Sequence, residues 1–223
     1  MNAAAPSSSG RSAGGAPSPE TWDYTETFLP ESDTAARARQ QGEGFGAWPV
    51  GRGTASLLTV LARLANARAV VEIGTGAGVS GLALFAGMQP DGILTSIDVE
   101  AEHQNAARQA FREVGIAPQR FRLIAGAALT VLPKLSDGAY DLVLVDGDKL
   151  EYAEYVEQAL RLLRHGGVLA VDNALRRGRV ADPGNSDDDA IAVREAIEAV
   201  RDNTDLTCSL LPVGDGLLVA VKS

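Results

Sequence analysis

Two groups of polar side chains directly follow apolar segments of the chain. One apolar segment leads into Asp146, with Lys149 three residues later, and another leads into Asp172 and Asn173. If these segments are adjacent parallel strands, their carboxyl ends meet at one edge of the sheet, where α/β sheets bind ligands. Three oxygen-bearing side chains would then suit Mg²⁺, which keeps waters and takes further ligands from a substrate. Capping of the following helices by Asp146 and Asp172 is the alternative, but all four residues together favour a metal site.

A glycine-rich turn lies earlier in the chain. Gly74, Gly76 and Gly78 follow the apolar segment 69–73, and a helical pattern begins near Val79. Glycines at a strand-to-helix turn adopt backbone angles closed to other residues and let a ligand approach the main chain. The same letters satisfy the dinucleotide fingerprint, so the glycines alone do not specify the ligand.

Two acids flank this turn. Glu72 lies inside the apolar segment, where a carboxylate is costly to bury without a partner. Capping of nearby backbone amides is its alternative role. Asp98 ends the next apolar segment, 93–98, which is the position of a carboxylate that holds ribose hydroxyls. Turn and acids together predict a nucleoside cofactor.

Composition limits the function classes. The chain has 223 residues, 45% of them apolar, and a formal net charge of −9, which disfavours a basic nucleic-acid face. A single cysteine, Cys208, excludes an internal disulfide and fits a reducing compartment, so a cytoplasmic location is expected. The chain contains no apolar segment long enough to span a membrane. His103 and His165 lack metal-ligand spacing and are interpreted as surface or loop residues.

The elements that position these residues alternate between strand and helix. The predicted strands are 69–73, 93–98, 121–125, 140–145 and 167–171. The predicted helices between them are 79–88, 101–114, 128–135 and 152–164. Alternation predicts a parallel sheet with helices on both faces and right-handed crossovers. Ser186 is the predicted N-cap of a further helix, and the segments 206–211 and 217–221 predict an antiparallel hairpin around Gly-Asp-Gly.

The domain plan is simple. Residues 1–20, rich in Ala, Ser, Gly and Pro, are predicted to form a disordered tail, and 21–223 a single domain. Within it, 21–66 is a predicted helical cap, with helices at about 33–41 and 54–66. Its aromatic side chains either shape a substrate pocket or belong to ordinary core and linker.

Several motifs resemble one enzyme family. The run Asp146-Gly-Asp-Lys-Leu-Glu-Tyr152 resembles the Asp-Ala-Asp-Lys-x-x-Tyr motif of cation-dependent O-methyltransferases of the caffeoyl-coenzyme-A and catechol type, with Gly147 in place of alanine. Asp172-Asn173 resembles the family's metal pair, Glu72-Ile-Gly-Thr-Gly its cofactor motif, and Leu211-Pro-Val-Gly-Asp-Gly its C-terminal signature. The resemblance covers about Val50 to the C-terminus.

The resemblance implies a Rossmann-like, S-adenosylmethionine-dependent methyltransferase fold, with a seven-stranded, mostly parallel sheet and an antiparallel C-terminal hairpin. It implies S-adenosylmethionine and Mg²⁺ or another divalent cation as cofactors, a homodimer, and a small vicinal dihydroxy aromatic acceptor. The implied cofactor-binding residues are Val50, Glu72, Gly74, Thr75, Gly76, Ser80, Asp98, Val99, Ala128, Asp146 and Asp148. The implied metal ligands are Asp146, Asp172 and Asn173. The implied catalytic residues are Lys149, as general base, and Asp146, and the implied substrate residues are Lys149, Tyr155 and Asn173.

One loop departs from the family pattern. The segment after Asn173 contains Arg176, Arg177 and Arg179 where the family often has an aromatic residue. These arginines could bind an acidic or phosphate-bearing acceptor, although a solvated loop is the preferred interpretation. Three alternative functions are retained: methylation of a hydroxyuridine in tRNA, NAD-dependent oxidoreduction, and ligand binding without catalysis.

Overall fold

The computed structural model of the protein describes residues 18–223. Most of the predicted tail, residues 1–17, lies outside the described residues. The last part of that tail is helical instead, because the first helix begins at Pro19 and the Ser18 hydroxyl accepts a hydrogen bond from the backbone N–H of Thr21. The boundary of the folded chain is therefore earlier than predicted.

Eight α-helices and seven strands make up the described chain, 18–223. The helices are α1 (Pro19–Glu26), α2 (Asp33–Gly44), α3 (Arg52–Leu64), α4 (Val79–Gly87), α5 (Ala101–Glu113), α6 (Ala128–Val131), α7 (Tyr152–Leu162) and α8 (Asp188–Asp202). The strands are β1 (Ala69–Ile73), β2 (Ile93–Asp98), β3 (Phe121–Ala125), β4 (Tyr140–Val145), β5 (Leu163–Val171), β6 (Leu206–Leu211) and β7 (Leu217–Lys222).

The strands form one seven-stranded sheet in the order β3-β2-β1-β4-β5-β7-β6. Neighbouring strands from β3 to β5 are parallel, whereas β7 is antiparallel to both β5 and β6. The predicted sheet with its C-terminal hairpin is confirmed. Because Val145 pairs with Val171 across β4 and β5, the residues that follow them, Asp146 and Asp172, emerge side by side.

Alternate residues along the central strands pack into two separate hydrophobic cores, one on each face of the sheet. Val71 and Val143 face a core that α7 and α8 complete on one side of the sheet. Val70 and Leu142 face the other side, where they pack with Leu58 and other residues of α3, α4 and α5. This alternation explains why the central strands are mostly apolar, since both faces of a parallel sheet are buried.

Some predicted boundaries differ from the structure. The predicted helix 128–135 ends as α6 at Val131 and continues as a 3₁₀ turn, Leu132–Lys134, because Pro133 cannot donate a backbone hydrogen bond. Strand β5 begins at Leu163 rather than 167, and α7 ends at Leu162. The prediction of Ser186 as N-cap is wrong, since Asp187 occupies that position and α8 begins at Asp188.

The predicted N-terminal cap consists of α1, α2 and α3. Helix α3 packs against α4 so closely that a Cβ atom at Gly87 would lie 2.1 Å from the Thr59 carbonyl oxygen. Leu58 of α3 is fully buried, so this part of the cap belongs to the core. No helix within the described range has the length and apolar character needed to cross a bilayer.

Candidate active site

A cleft of about 960 Å³ opens at the carboxyl edge of the central strands. Loops after β1, β2, β4 and β5 form its floor and sides, and the loop between α2 and α3 forms one rim. Thirteen of the predicted site residues line it, namely Val50, Gly74, Thr75, Gly76, Ser80, Asp98, Val99, Ala128, Asp146, Asp148, Lys149, Tyr155 and Asn173. Glu72 and Asp172 are the two predicted site residues that lie behind the wall rather than on it.

The glycine turn is tight because it passes directly over the end of β4. Gly74 has φ of +97°, and a Cβ atom there would lie 2.1 Å from the carbonyl oxygen of Asp146. Gly78 has φ of +94°, and a Cβ atom there would lie 2.9 Å from the Cα atom of Ala107. Both glycines are therefore required by packing as well as by backbone conformation.

We expect Gly74→Ala to destabilise the protein by about 2–5 kcal/mol, because it combines a left-handed conformation with overpacking. Gly76→Ala is the matched control, since Gly76 also has positive φ (+48°) but its Cβ position is open. That control should cost only about 1–2 kcal/mol. Thermal denaturation followed by circular dichroism measures both. Equal melting temperatures for the two variants would contradict the close approach to Asp146.

Asp98 holds the glycine turn from the side of β2. Its Oδ2 accepts hydrogen bonds from the backbone N–H groups of Thr75 (3.0 Å) and Gly76 (2.9 Å), and lies 3.3 Å from His103 Nδ1. The carboxylate thus fixes the backbone on which a nucleoside would rest. Its predicted contact with ribose hydroxyls stays a prediction.

His103 is a cleft residue that the sequence analysis missed. It lies on α5, stacks on Phe45 with ring centroids 5.6 Å apart, and lines the cleft beside Asp98. Its interpretation as a surface or loop residue is wrong, because it belongs to a helix and its side chain is only 17% exposed. The signal was available, since His103 falls in the first turn of the helix that follows the strand-end acid.

Glu72 is fully buried beneath the cleft wall. Its two carboxylate oxygens accept hydrogen bonds from the hydroxyls of Ser80 (2.6 Å) and Ser96 (2.5 Å). Burial raises the pKa of Glu72 to about 7, against the opposing effect of the two serine hydrogen bonds. Glu72 therefore orients Ser80, which lines the cleft, and its own predicted contact with a cofactor stays a prediction.

This pKa has a consequence for stability. The pKa of Glu72 is raised from 4.5 to about 7 in the folded protein. Between these two pH values the folded state keeps the Glu72 proton, whereas the unfolded chain has released it. The contribution of Glu72 to stability is complete below pH 4.5 and is lost as the pH rises through 7. The loss amounts to about 3 kcal/mol at most.

We expect Glu72→Gln to remove this dependence, so that its free energy of unfolding, relative to wild type, rises by about 3 kcal/mol between pH 4 and pH 8. Urea denaturation across that range measures the difference. Glu157→Gln, which changes an exposed acid on α7, provides the control. Parallel pH profiles for wild type and Glu72→Gln would show that Glu72 is not the titrating group.

The predicted metal ligands lie together at the ends of β4 and β5. The backbone N–H of Asp172 donates to the Val145 carbonyl oxygen at 3.0 Å, which places Asp172 beside Asp146. Asp172 is 1% exposed, and its Oδ1 has no hydrogen-bond partner among the described residues. Burial and the Asp146 carboxylate raise the pKa of Asp172 well above its ordinary value. Asn173, with φ of +55°, turns the chain at this point and lines the cleft.

Lys149 supplies the positive charge of this group. Its Nζ donates to Asp146 Oδ1 at 2.9 Å and to the Gly147 carbonyl oxygen at 3.1 Å, and lies 4.8 Å from the centre of the Tyr152 ring. Burial raises the pKa of Asp146, and the Lys149 ammonium opposes that rise. Lys149 is the one lysine that lines the described cleft.

The chain offers no cluster of three His, Cys, Asp or Glu side chains for a metal anywhere in 18–223. The group described above contains only two such side chains, since its third oxygen donor is the amide of Asn173. A site of this composition suits a hard cation whose coordination is completed by water and substrate oxygens.

Tyr155 lines the cleft close to Gly147. Its hydroxyl donates to Glu151, a second cleft residue that the sequence analysis did not identify. A Cβ atom at position 147 would lie 2.9 Å from Tyr155 Cε2. The glycine that replaces the family's usual alanine therefore makes room for the tyrosine ring.

The chain is similar to known O-methyltransferases. The family model described as O-methyltransferase matches residues 35–223. A probable O-methyltransferase of Mycobacterium tuberculosis strain H37Rv is 48% identical over 201 residues, which is 90% of each chain.

Two solved structures share the fold. The O-methyltransferase TomG from Streptomyces achromogenes, involved in tomaymycin synthesis and solved in complex with S-adenosylmethionine, is 31% identical with a TM-score of 0.82, covering 92% of this chain and 98% of TomG. The O-methyltransferase from Bacillus cereus, in complex with S-adenosylhomocysteine, is 26% identical with a TM-score of 0.81, covering 92% and 99% of the two chains. Sequence, fold and cleft agree, and the chain belongs to the O-methyltransferase family.

Proposed function

We propose that the protein transfers a methyl group from S-adenosylmethionine to one hydroxyl of a small vicinal dihydroxy aromatic compound, with the help of a divalent cation. One observation carries this proposal. Lys149, Asp146 and Asn173 line the cleft that contains the glycine turn, and the buried carboxylate of Asp172 lies behind this wall beside Asp146.

The cofactor part is supported by the relatives and by the turn. TomG and the Bacillus cereus enzyme were solved with S-adenosylmethionine and S-adenosylhomocysteine. In this chain the glycine turn would approach the nucleoside, while Asp98 and Ser80 offer polar atoms on the cleft wall. The NAD-dependent dehydrogenase alternative rested on the dinucleotide fingerprint of the glycine turn. The O-methyltransferase family match includes that turn, so the fingerprint no longer supports a dehydrogenase.

The metal part is supported by the chemistry of the donor set. The fully buried carboxylate of Asp172 lies beside that of Asp146, which is 13% exposed, and Asp172 Oδ1 lacks a hydrogen-bond partner among residues 18–223. Such a group is costly to bury unless a cation compensates it. Asp146, Asp172 and Asn173 would hold that cation. Polarisation of the acceptor oxygens is the chemistry that a divalent cation supplies when bound there.

Lys149, in its neutral amine form, has the role of accepting the proton. Methyl transfer is a displacement in which catalysis depends largely on positioning, and the attacking oxygen must lose its proton. The Lys149 Nζ is fixed by Asp146 and by the Gly147 carbonyl oxygen, so it is held at the cleft wall in one place. Tyr155 and Trp48 border the same cleft and would contact the aromatic ring.

The decisive experiment is a screen of vicinal dihydroxy aromatics with labelled S-adenosylmethionine, with Mg²⁺ and with chelator. We expect transfer to at least one diol, and its loss in chelator. Transfer to tRNA instead of to the diols would favour the alternative function, and transfer that is equally fast in chelator would remove the metal from the proposal. The homodimer and the cytoplasmic location stay predictions.

A further inference from the structure

The arginine loop after β5, residues 174–179, places Arg176, Arg177 and Arg179 on the cleft wall. We propose that Arg177, stacked on Trp48, binds a carboxylate carried by the acceptor, so that the substrate is an aromatic diol acid rather than a neutral diol. This inference rests on the proposed function and names the substrate class within it.

The three arginines differ in their partners. Arg176 pairs with Asp189, and Arg179 pairs with both Asp187 (2.8 Å) and Asp189 (3.2 Å). The Arg177 guanidinium has no carboxylate within ion-pair distance among residues 18–223. Two of the three positive charges are therefore neutralised within the fold, and that of Arg177 is left for a ligand.

Trp48 gives Arg177 its place at the cleft mouth. The guanidinium carbon lies 5.2 Å from the centre of the Trp48 ring, although Trp48 is otherwise 75% exposed. A guanidinium that lies over an aromatic face keeps its N–H groups free at its edge. That edge forms two parallel hydrogen bonds with a carboxylate.

The backbone holds this loop in an unusual shape. Arg176 and Arg177 have φ of +45° and +56°, a left-handed conformation that is unfavourable for arginine. The hairpin turn supports it, since the Arg177 N–H donates to Asp215 Oδ1 at 2.5 Å and the Leu175 N–H donates to the Asp215 carbonyl oxygen at 2.9 Å. Strain of this kind, held by specific bonds, is typical of ligand sites.

The position of the loop assigns it to the acceptor rather than to the nucleoside. Asp98 and the glycine turn lie at β2 and β1, whereas the arginine loop follows β5. From β2 to β5 there are three strand spacings, or about 14 Å. Asp146 follows β4 and lies between these two ends, whereas Asp172 and Asn173 follow β5 and lead directly into the arginine loop. A diol whose hydroxyls meet that group would point its opposite end towards Arg177 and Trp48.

Binding, measured separately from turnover, tests this. We would titrate 3,4-dihydroxybenzoate and its neutral counterpart, 3,4-dihydroxybenzyl alcohol, by calorimetry into protein saturated with S-adenosylhomocysteine and Mg²⁺. We expect wild type to prefer the acid by about tenfold or more. In Arg177→Gln the preference should fall to about one, and Arg177→Lys should keep part of it because the charge remains.

The matched control is Arg201→Gln, which also removes one positive charge but changes an exposed arginine in the last turn of α8. Its preference for the acid should equal that of wild type. A wild-type preference near one, or a preference that survives in Arg177→Gln, would overturn the proposal. Weaker binding of S-adenosylhomocysteine to Arg177→Gln, with the acid preference intact, would also overturn it and assign the arginine to the cofactor.

Failure of the proposed function would look different. If the acid binds selectively through Arg177 but labelled methyl is not transferred to it, the carboxylate site stands and the reaction is wrong. If both diols are methylated and bound equally well, the reaction stands and the carboxylate site is wrong.

Discussion

Replacement of Lys149 by alanine is expected to lower kcat for a diol acceptor by a factor of about 10²–10⁴, the usual contribution of a positioned general base. Among the residues described as lining the cleft, Lys149 is the one lysine, and its Nζ lies 2.9 Å from Asp146 Oδ1. Its loss removes the proton acceptor without removing the glycine turn. The Kd for S-adenosylmethionine should therefore change little.

Two further variants separate the base from the charge. Lys149→Arg keeps a positive charge near Asp146, but arginine does not give up its proton and cannot act as a base. We expect it to be nearly as inactive as Lys149→Ala. Lys134→Ala, which removes an exposed lysine from the 3₁₀ turn after α6, should behave as wild type. Substantial activity in Lys149→Arg would show that the residue acts through its charge alone.

Strands and helices of this fold were predictable where a single physical constraint decides them. The strands 69–73, 93–98, 121–125 and 140–145 match β1 to β4 residue for residue. Strands β1, β2 and β4 are buried on both faces, so they read as mostly apolar segments, whereas the edge strand β3 is partly exposed. The start of β5 was not predictable, because the buried Leu163 is followed by Arg164, His165 and Gly166, which are partly or fully exposed and interrupt the apolar segment.

The features of the site also divide into those that the sequence could predict and those that it could not. The convergence of Asp146 and Asp172 follows from the rule that parallel strands end at one edge, and the register of β4 with β5 confirms it. His103 was missed although it follows the strand-end Asp98 in the first turn of α5, whereas its stacking on Phe45, from the distant α2–α3 loop, could not be read from local sequence. The different partners of Arg176 and Arg177 were likewise hidden, since Asp189 and Trp48 come from separate parts of the chain. Local patterns predict strand ends, whereas contacts between loops require the folded chain.

The second large effect is expected at Asp172. Asp172→Asn keeps the size of the side chain but removes one carboxylate from the proposed metal site, and activity should fall about 10²–10³-fold, the equivalent of several kcal/mol of stabilisation. Chelation of the wild-type protein should lower activity to a similar degree. The side chain is 1% exposed and pairs with no ion in the described chain, so the substitution breaks no salt bridge.

Stability provides a readout for Asp172 that does not depend on turnover. A cation at 100 times its Kd stabilises a folded protein by about 2.7 kcal/mol, which for a chain of this length raises Tm by roughly 5–10 °C. We expect Mg²⁺ to produce that shift in wild type and almost none in Asp172→Asn.

In chelator the order of the two melting temperatures should reverse, with Asp172→Asn the more stable protein. The reason is that a buried carboxylate with an unpaired oxygen and a like-charged neighbour has been removed. Asp91→Asn, at an exposed surface pair with Arg68, should respond to Mg²⁺ as wild type does. An unchanged Mg²⁺ shift in Asp172→Asn would place the cation elsewhere.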